Sequence, residues 1–248
     1  MKTKGLLIIP ALIAAISVPE FVSAKENVGM SGGKTTPPTI NAACFEATMQ
    51  ADLAVNNVRT RMLCGDMWWD LSGARYEIPK GSGLHSIFAG SLWVGGIDAG
   101  GQLKVAGQTY RQTGNDFWPG PLDISNASVD LDVCAKYDKH FRITRKEVED
   151  FVATGVTTPA ILNWPGNGAA GQDPYLAPFF DKNQDGIYSP SAGDYPGYDL
   201  VSGDGYGECQ KVNCVPVDQL FGDESLFWVF NDKGNIHAET GGQPIGLE

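Results

Sequence analysis

Basic residues are scarce in this chain. Lys and Arg number 18 against 29 Asp and Glu, a formal charge of −11 over 248 residues. So acidic an exterior repels nucleic acid and anionic membranes, and neither is expected as a partner. Histidine is scarcer still: His85, His140 and His237 are all there is. No Cys-x-x-Cys and no His-Glu-x-x-His occurs, so the common spacings of zinc centres are missing. His237-Ala238-Glu239 matches half of a zinc-deaminase signature, but that chemistry also needs Pro-Cys-x-x-Cys, which is absent. A bilayer span takes about 20 apolar residues, and no segment has that length, so the chain is not expected to be transmembrane once its leader is removed.

What is present begins with an export signal. Lys2 and Lys4 precede an apolar run from Leu6 to Val18, and Val22-Ser23-Ala24 is a small-residue cleavage site. Residues 1–24 are expected to be removed. The mature chain from Lys25 then carries 16 basic against 28 acidic residues, a formal charge of −12. Residues 25–40 are rich in Gly, Ser, Thr, Lys and Pro and read as a flexible leader. Residues 41–248 are long enough for one domain with a real core.

Glycine, at 31 residues, exceeds the average share of about 7% and favours short strands and tight turns. Val58, Thr60 and Met62 alternate with Asn57, Arg59 and Arg61, the period of a strand. Met67-Trp68-Trp69-Asp70 and Arg75-Tyr76-Glu77-Ile78 flank Ser72-Gly73 as a hairpin. Ser86–Ile97 and Gln102–Tyr110 flank Asp98-Ala99-Gly100-Gly101 as another, and Leu226–Phe230 is a further strand. One helix is predicted near 144–154. Thr144 and Glu147 form a capping box, Val148, Phe151 and Val152 supply an apolar face, and Gly155 ends it. The expected fold is mainly β, with antiparallel, sandwich-like sheets and long glycine-rich loops; the pattern does not separate sandwich from barrel.

The most specific chemical signal is Asp181-Lys182-Asn183-Gln184-Asp185-Gly186-Ile187. Side-chain oxygens at positions 1, 3 and 5, a turning glycine at 6 and a carbonyl at 7 are how a short loop wraps calcium. Asp181, Asn183, Asp185 and the Ile187 carbonyl are the expected ligands. An EF-hand would place Glu at position 12, where this chain has Ala192, so Asp194 is expected to close the shell. The alternative is a metal-free loop of Asx turns, since Asp, Asn and Gly favour turns anyway.

Export permits disulfides. Five cysteines (Cys44, Cys64, Cys134, Cys209, Cys214) leave at least one free or paired outside this chain, and Cys209–Cys214 is the expected bond. The six tryptophans are expected mainly in the core, with exposed faces as possible platforms for a glycan.

Several blocks together resemble one family: Asn56–Arg59, Gly65–Asp70, His85–Gly90, Gln108–Gly120, Ile161–Gly168, Gly193–Pro196 and Phe227–His237. Over roughly residues 50–248 they are similar to the N-terminal region of large Bacteroidetes cell-surface proteins. Such proteins typically end in a C-terminal sorting domain for type IX secretion. The resemblance implies an extracellular or cell-surface location and a longer chain beyond Glu248, so the β-rich domain is expected to be incomplete at its C-terminus. It brings no catalytic residues.

Two functions fit these features. The first is a non-catalytic structural or adhesive module, stabilised by calcium and meeting an extracellular glycan or surface protein. The second is a polysaccharide-binding or polysaccharide-degrading domain that uses exposed tryptophans and a carboxylate pair. Mass spectrometry after alkylation is expected to find Cys209 linked to Cys214; free thiols at both positions reject the pairing.

Overall fold

The computed structural model describes residues 44–66, 76–109, 114–197 and 222–248. The expected signal and leader, the Met67–Asp70 strand with its turn at Ser72-Gly73, and the Cys209–Cys214 bond lie outside these residues. All described residues belong to one unit, Ile40–Glu248.

The unit is built from short antiparallel strands with a few short helices. Strands β1 (Gln50–Leu53), β2 (Arg59–Leu63), β3 (Tyr76–Glu77) and β4 (His85–Ile87) form a four-stranded sheet in that order. The period-two segment is β2, and its arginines explain the pairing. Arg61 lies opposite Asp52 on β1, and Arg59 opposite Glu77 on β3. Both guanidinium groups reach Asp52, each at 2.8 Å. Burial alone would raise the Asp52 carboxyl, but Arg61 and Arg59 outweigh it and hold it below the usual range.

Strands β5 (Trp93–Ile97) and β6 (Leu103–Gly107) form a hairpin where the second was expected, but the arm expected to run from Ser86 is broken: His85–Ile87 belongs to the four-stranded sheet. The β5–β6 turn is held by Asp98, whose carboxylate accepts the N–H groups of Gly100 and Gln102, each at 2.9 Å. β7 (Trp118–Pro119) then leads to α1 (Leu131–Tyr137), which the sequence pattern did not predict. Asp130 caps α1 by accepting the Val133 N–H.

β8 (Phe141–Thr144) runs directly into α2 (Arg145–Thr154), the predicted helix. The capping box forms in both directions, and Gly155 takes the left-handed conformation (φ 71°) that ends the helix. Val148 and Phe151 are buried. Val152, predicted on the same face, is exposed; it lies about 100° around the helix from Phe151 and turns away from the core.

The chain continues through α3 (Pro159–Leu162), β9 (Phe179–Phe180), a 3-10 turn at Pro190–Ala192, β10 (Tyr195–Pro196), β11 (Glu224–Phe227) and β12 (Phe230–Asn231). β9 pairs with β10, β8 with β11 and β7 with β12, all antiparallel. Arg142 on β8 forms an ion pair with Glu224 on β11.

The main core joins Ile143, Val148, Phe151, Ile161, Trp164 and Phe179, with Tyr195 meeting Phe151 edge-on. A second cluster surrounds a disulfide between Cys44 and Cys134, packed with Trp118. The two cysteines are 90 positions apart, and closing a loop of that size stabilises by roughly 2–5 kcal/mol. Cys64 is a buried free thiol. Among the described residues no helix is long and apolar enough to cross a membrane.

The Thr144→Ala substitution removes one half of the capping box. It is expected to cost about 1 kcal/mol, seen as a lower urea midpoint with an unchanged slope. An unchanged midpoint would show that the cap contributes nothing.

Candidate functional site

The aspartate-rich loop connects β9 to β10, and its ends are fixed before any ion is considered. Phe180 pairs with Tyr195 across the ribbon, with the rings stacked at 4.9 Å. Asp181 and Asp194 therefore stand at the base of the loop, both buried. Between them the chain coils through two left-handed residues, Gln184 (φ 60°) and Gly186 (φ 76°).

Asp181 accepts the N–H groups of Gln184 and Gly186, each at 2.7 Å. Asp185 accepts the Ile187 N–H at 2.7 Å and the Asn183 side-chain amide at 2.8 Å. Asp194 reaches back to the Lys182 N–H at 2.9 Å and the Ser189 N–H at 2.8 Å. This is a nest of Asx turns, the alternative arrangement for this sequence.

The same geometry crowds negative charge. Burial raises the Asp194 carboxyl above its ordinary range, two backbone N–H bonds oppose the rise, and the charges of Asp181 and Asp185 add to it. The charges of Asp181 and Asp185 thus reach Asp194. A carboxylate offers about four lone pairs, so the bonds to Asp185 and Asp194 leave acceptor capacity on both. Asn183 turns its amide toward Asp185, and Ile187 is exposed. In this conformation no group of three or more His, Cys, Asp or Glu among the described residues is arranged to hold a metal. The carboxylates suit calcium in chemistry, and their bonds in the structure are to the loop's own backbone.

A second feature lies next to the loop. A cleft of about 360 Å³ opens between residues 173–176 and 227–230. Tyr175, Phe227, Trp228 and Phe230 line it together with the carboxylates of Asp173 and Glu248. The Glu248 carboxylate is lodged on the Leu122 N–H at 2.8 Å. Burial lifts this carboxyl above its ordinary range, and the charge of Asp173 lifts it further.

Asn167 connects cleft and loop. Its side-chain amide donates to the Pro174 carbonyl at 2.9 Å and to the Gly186 carbonyl at 3.3 Å. Its carbonyl oxygen accepts the Tyr188 N–H at 2.6 Å.

Two further polar clusters are present, one buried and one half-buried. His237 is enclosed. Its Nδ1 lies 2.6 Å from the Val105 carbonyl and its Nε2 2.7 Å from the Asp232 carbonyl. Which of the two nitrogens donates depends on the ring's tautomer. The carboxylates of Asp116 and Asp232 stand 3.8 Å from the ring on either side. Glu239 accepts the Gly114 N–H at 2.8 Å and the Thr109 hydroxyl.

The other cluster pairs Cys64 Sγ with His140 Nδ1 at 3.3 Å. Burial, with the charge of Asp138, pushes the thiol far up. Burial, then the charge of Arg142, pushes the imidazole down to about 4, against a smaller opposing pull from Asp138. Near neutral pH both partners are uncharged, so no thiolate is poised for attack.

No family model, no curated protein and no solved structure matches the chain. The site therefore has to be read from its own geometry. Trp118 and Trp164 are in the core as expected, Trp228 is half-buried at the cleft, and Trp93 is exposed. Sequence patterns did not single out Asp173 or Glu248, because neither belongs to a local motif and each meets the cleft only through the fold.

In metal-free protein the Asp194 carboxyl is expected to titrate above the ordinary aspartate value. The native state then keeps this proton to higher pH than the unfolded chain does. From about pH 3.9, the unfolded value, stability should fall as pH rises through the raised native value, and this contribution should be flat outside that window. Carbon NMR titration of the side-chain carboxyls measures it. A midpoint at or below the ordinary value would contradict the crowding of the three carboxylates.

Proposed function

We propose that this chain is a secreted or cell-surface structural and adhesive module, non-catalytic, whose Asp181–Asp194 loop is organised by calcium. One observation carries the reading: Asp194 is pressed by burial and by the charges of Asp181 and Asp185 within a single coiled loop. Calcium prefers such oxygen ligands. Asp181, Asn183, Asp185, the Ile187 carbonyl and Asp194 would hold it, and its charge would offset their mutual repulsion. The role is structural, with the ion cross-linking a loop that has few apolar contacts of its own.

The export signal and the block resemblance to Bacteroidetes surface proteins of the type IX secretion group support the location. The neutral pair of buried Cys64 and half-buried His140 supports the non-catalytic reading. A second reading, a polysaccharide-binding or polysaccharide-degrading domain, has the cleft in its favour, since Trp228 and two carboxylates share one hollow.

Extracellular modules bind calcium at roughly 10⁻⁴ to 10⁻³ M. At ~10 mM calcium such a site adds roughly 1.4–2.7 kcal/mol, raising the melting midpoint by roughly 3–10 °C relative to chelator. Asp185→Ala is expected to abolish the shift. Identical melting of the wild type in calcium and in chelator would overturn the reading.

A further inference from the structure

We propose that the cleft between residues 173–176 and 227–230 binds an alkylated ammonium group, either a quaternary amine or the side chain of a lysine on a partner. Its volume, about 360 Å³, falls in the range of small-ligand sites. Four of its lining side chains are aromatic, two are acidic and none is basic. Aromatic faces attract an organic cation through their quadrupole, and neighbouring carboxylates add direct charge complementarity.

The aromatic walls are fixed from behind. Trp228 Nε1 donates to the Asp66 carbonyl at 2.9 Å, and its ring lies 5.4 Å from that of His140. Phe230 meets Phe117 edge-on at 5.5 Å, and Phe227 packs on Trp164 at 5.8 Å. On the opposite wall the Leu176 N–H donates to the Gly166 carbonyl at 3.0 Å, and the Tyr175 N–H to Asp173 at 2.8 Å. The rings need little reordering to receive a ligand, which removes part of the entropic cost of binding.

Charge selects among occupants. Beyond burial, the charge of Asp173 acts on the Glu248 carboxylate and raises it. A neutral sugar would leave that effect in place and an anion would worsen it. A cation with an apolar skin relieves it while covering the rings.

The full-length protein is titrated by NMR with choline, Nα-acetyl-lysine methylamide, 3,3-dimethylbutanol (the neutral isostere of choline) and cellotetraose. At least one cation is expected to saturate the cleft about tenfold or more tightly than the isostere, since cation–π and ionic contacts are together worth a tenfold change or more. The choline and lysine arms identify the source of the ammonium group. Asp173→Asn and Tyr175→Leu change exposed residues and are expected to weaken binding about tenfold without lowering the melting midpoint. No saturable binding of either cation, equal binding of the isostere, tighter binding of cellotetraose, or indifference to both variants would each overturn the proposal. The calcium-induced melting shift, measured on Asp173→Asn, reports the loop separately, so the two readings fail independently.

Discussion

Two buried aspartates hold the last part of the described chain to the rest. Asp116 takes the Glu239 N–H at 3.0 Å and the Thr240 hydroxyl at 2.6 Å, together with the Gly107 N–H at 3.2 Å. Asp232 takes the N–H groups of Gly246 at 2.8 Å and Leu247 at 2.7 Å. His237 stands between them and bonds to the backbone of Val105 and Asp232. Each N–H left without its acceptor in such surroundings costs about 1–3 kcal/mol, so either aspartate underwrites several bonds at once. The grip of Asp232 on Gly246 and Leu247 also delivers Glu248 to the cleft. The polar site at the surface is thus a product of a polar network in the interior.

The same residue type plays opposite electrostatic parts here. Around His237, two carboxylates flank one ring, each 3.8 Å from a ring nitrogen, while both nitrogens meet backbone carbonyls. In the Asp181–Asp194 loop the charges of Asp181 and Asp185 add to the rise that burial gives Asp194, and at the cleft the charge of Asp173 adds to that of Glu248. The first pattern belongs to a scaffold. The other two are where a positive ligand gains most, which makes them the chemically distinctive places on the described surface.

Local features were legible in the sequence. The alternation around Arg59 and Arg61 announced β2, Asp98 with its glycines announced the β5–β6 hairpin, and Thr144 with Glu147 announced α2. In each, the residues that specify the element lie within a few positions of one another. The coil from Asp181 to Ile187 was legible for the same reason, but its pattern suits an Asx-turn nest as well as an ion. Features joining distant positions were not legible. Cys44 meets Cys134 across 90 positions, and Asp116 meets Glu239 across 123. The α1 helix, seven residues long, is too short for its periodicity to stand out. Val152 shows the limit within a correct prediction, because a helical period identifies a stripe but not where the neighbouring core stops.

Asn167 gives the loop and the cleft a common mechanical anchor. One side chain bonds the backbone at Pro174, beside the cleft, and at Gly186 and Tyr188, in the acidic coil. Whatever steadies one end of that amide limits the freedom of the other. Linkage is reciprocal: an ion that tightens the coil and an occupant that seats beside Tyr175 would each raise the other's affinity by an equal factor.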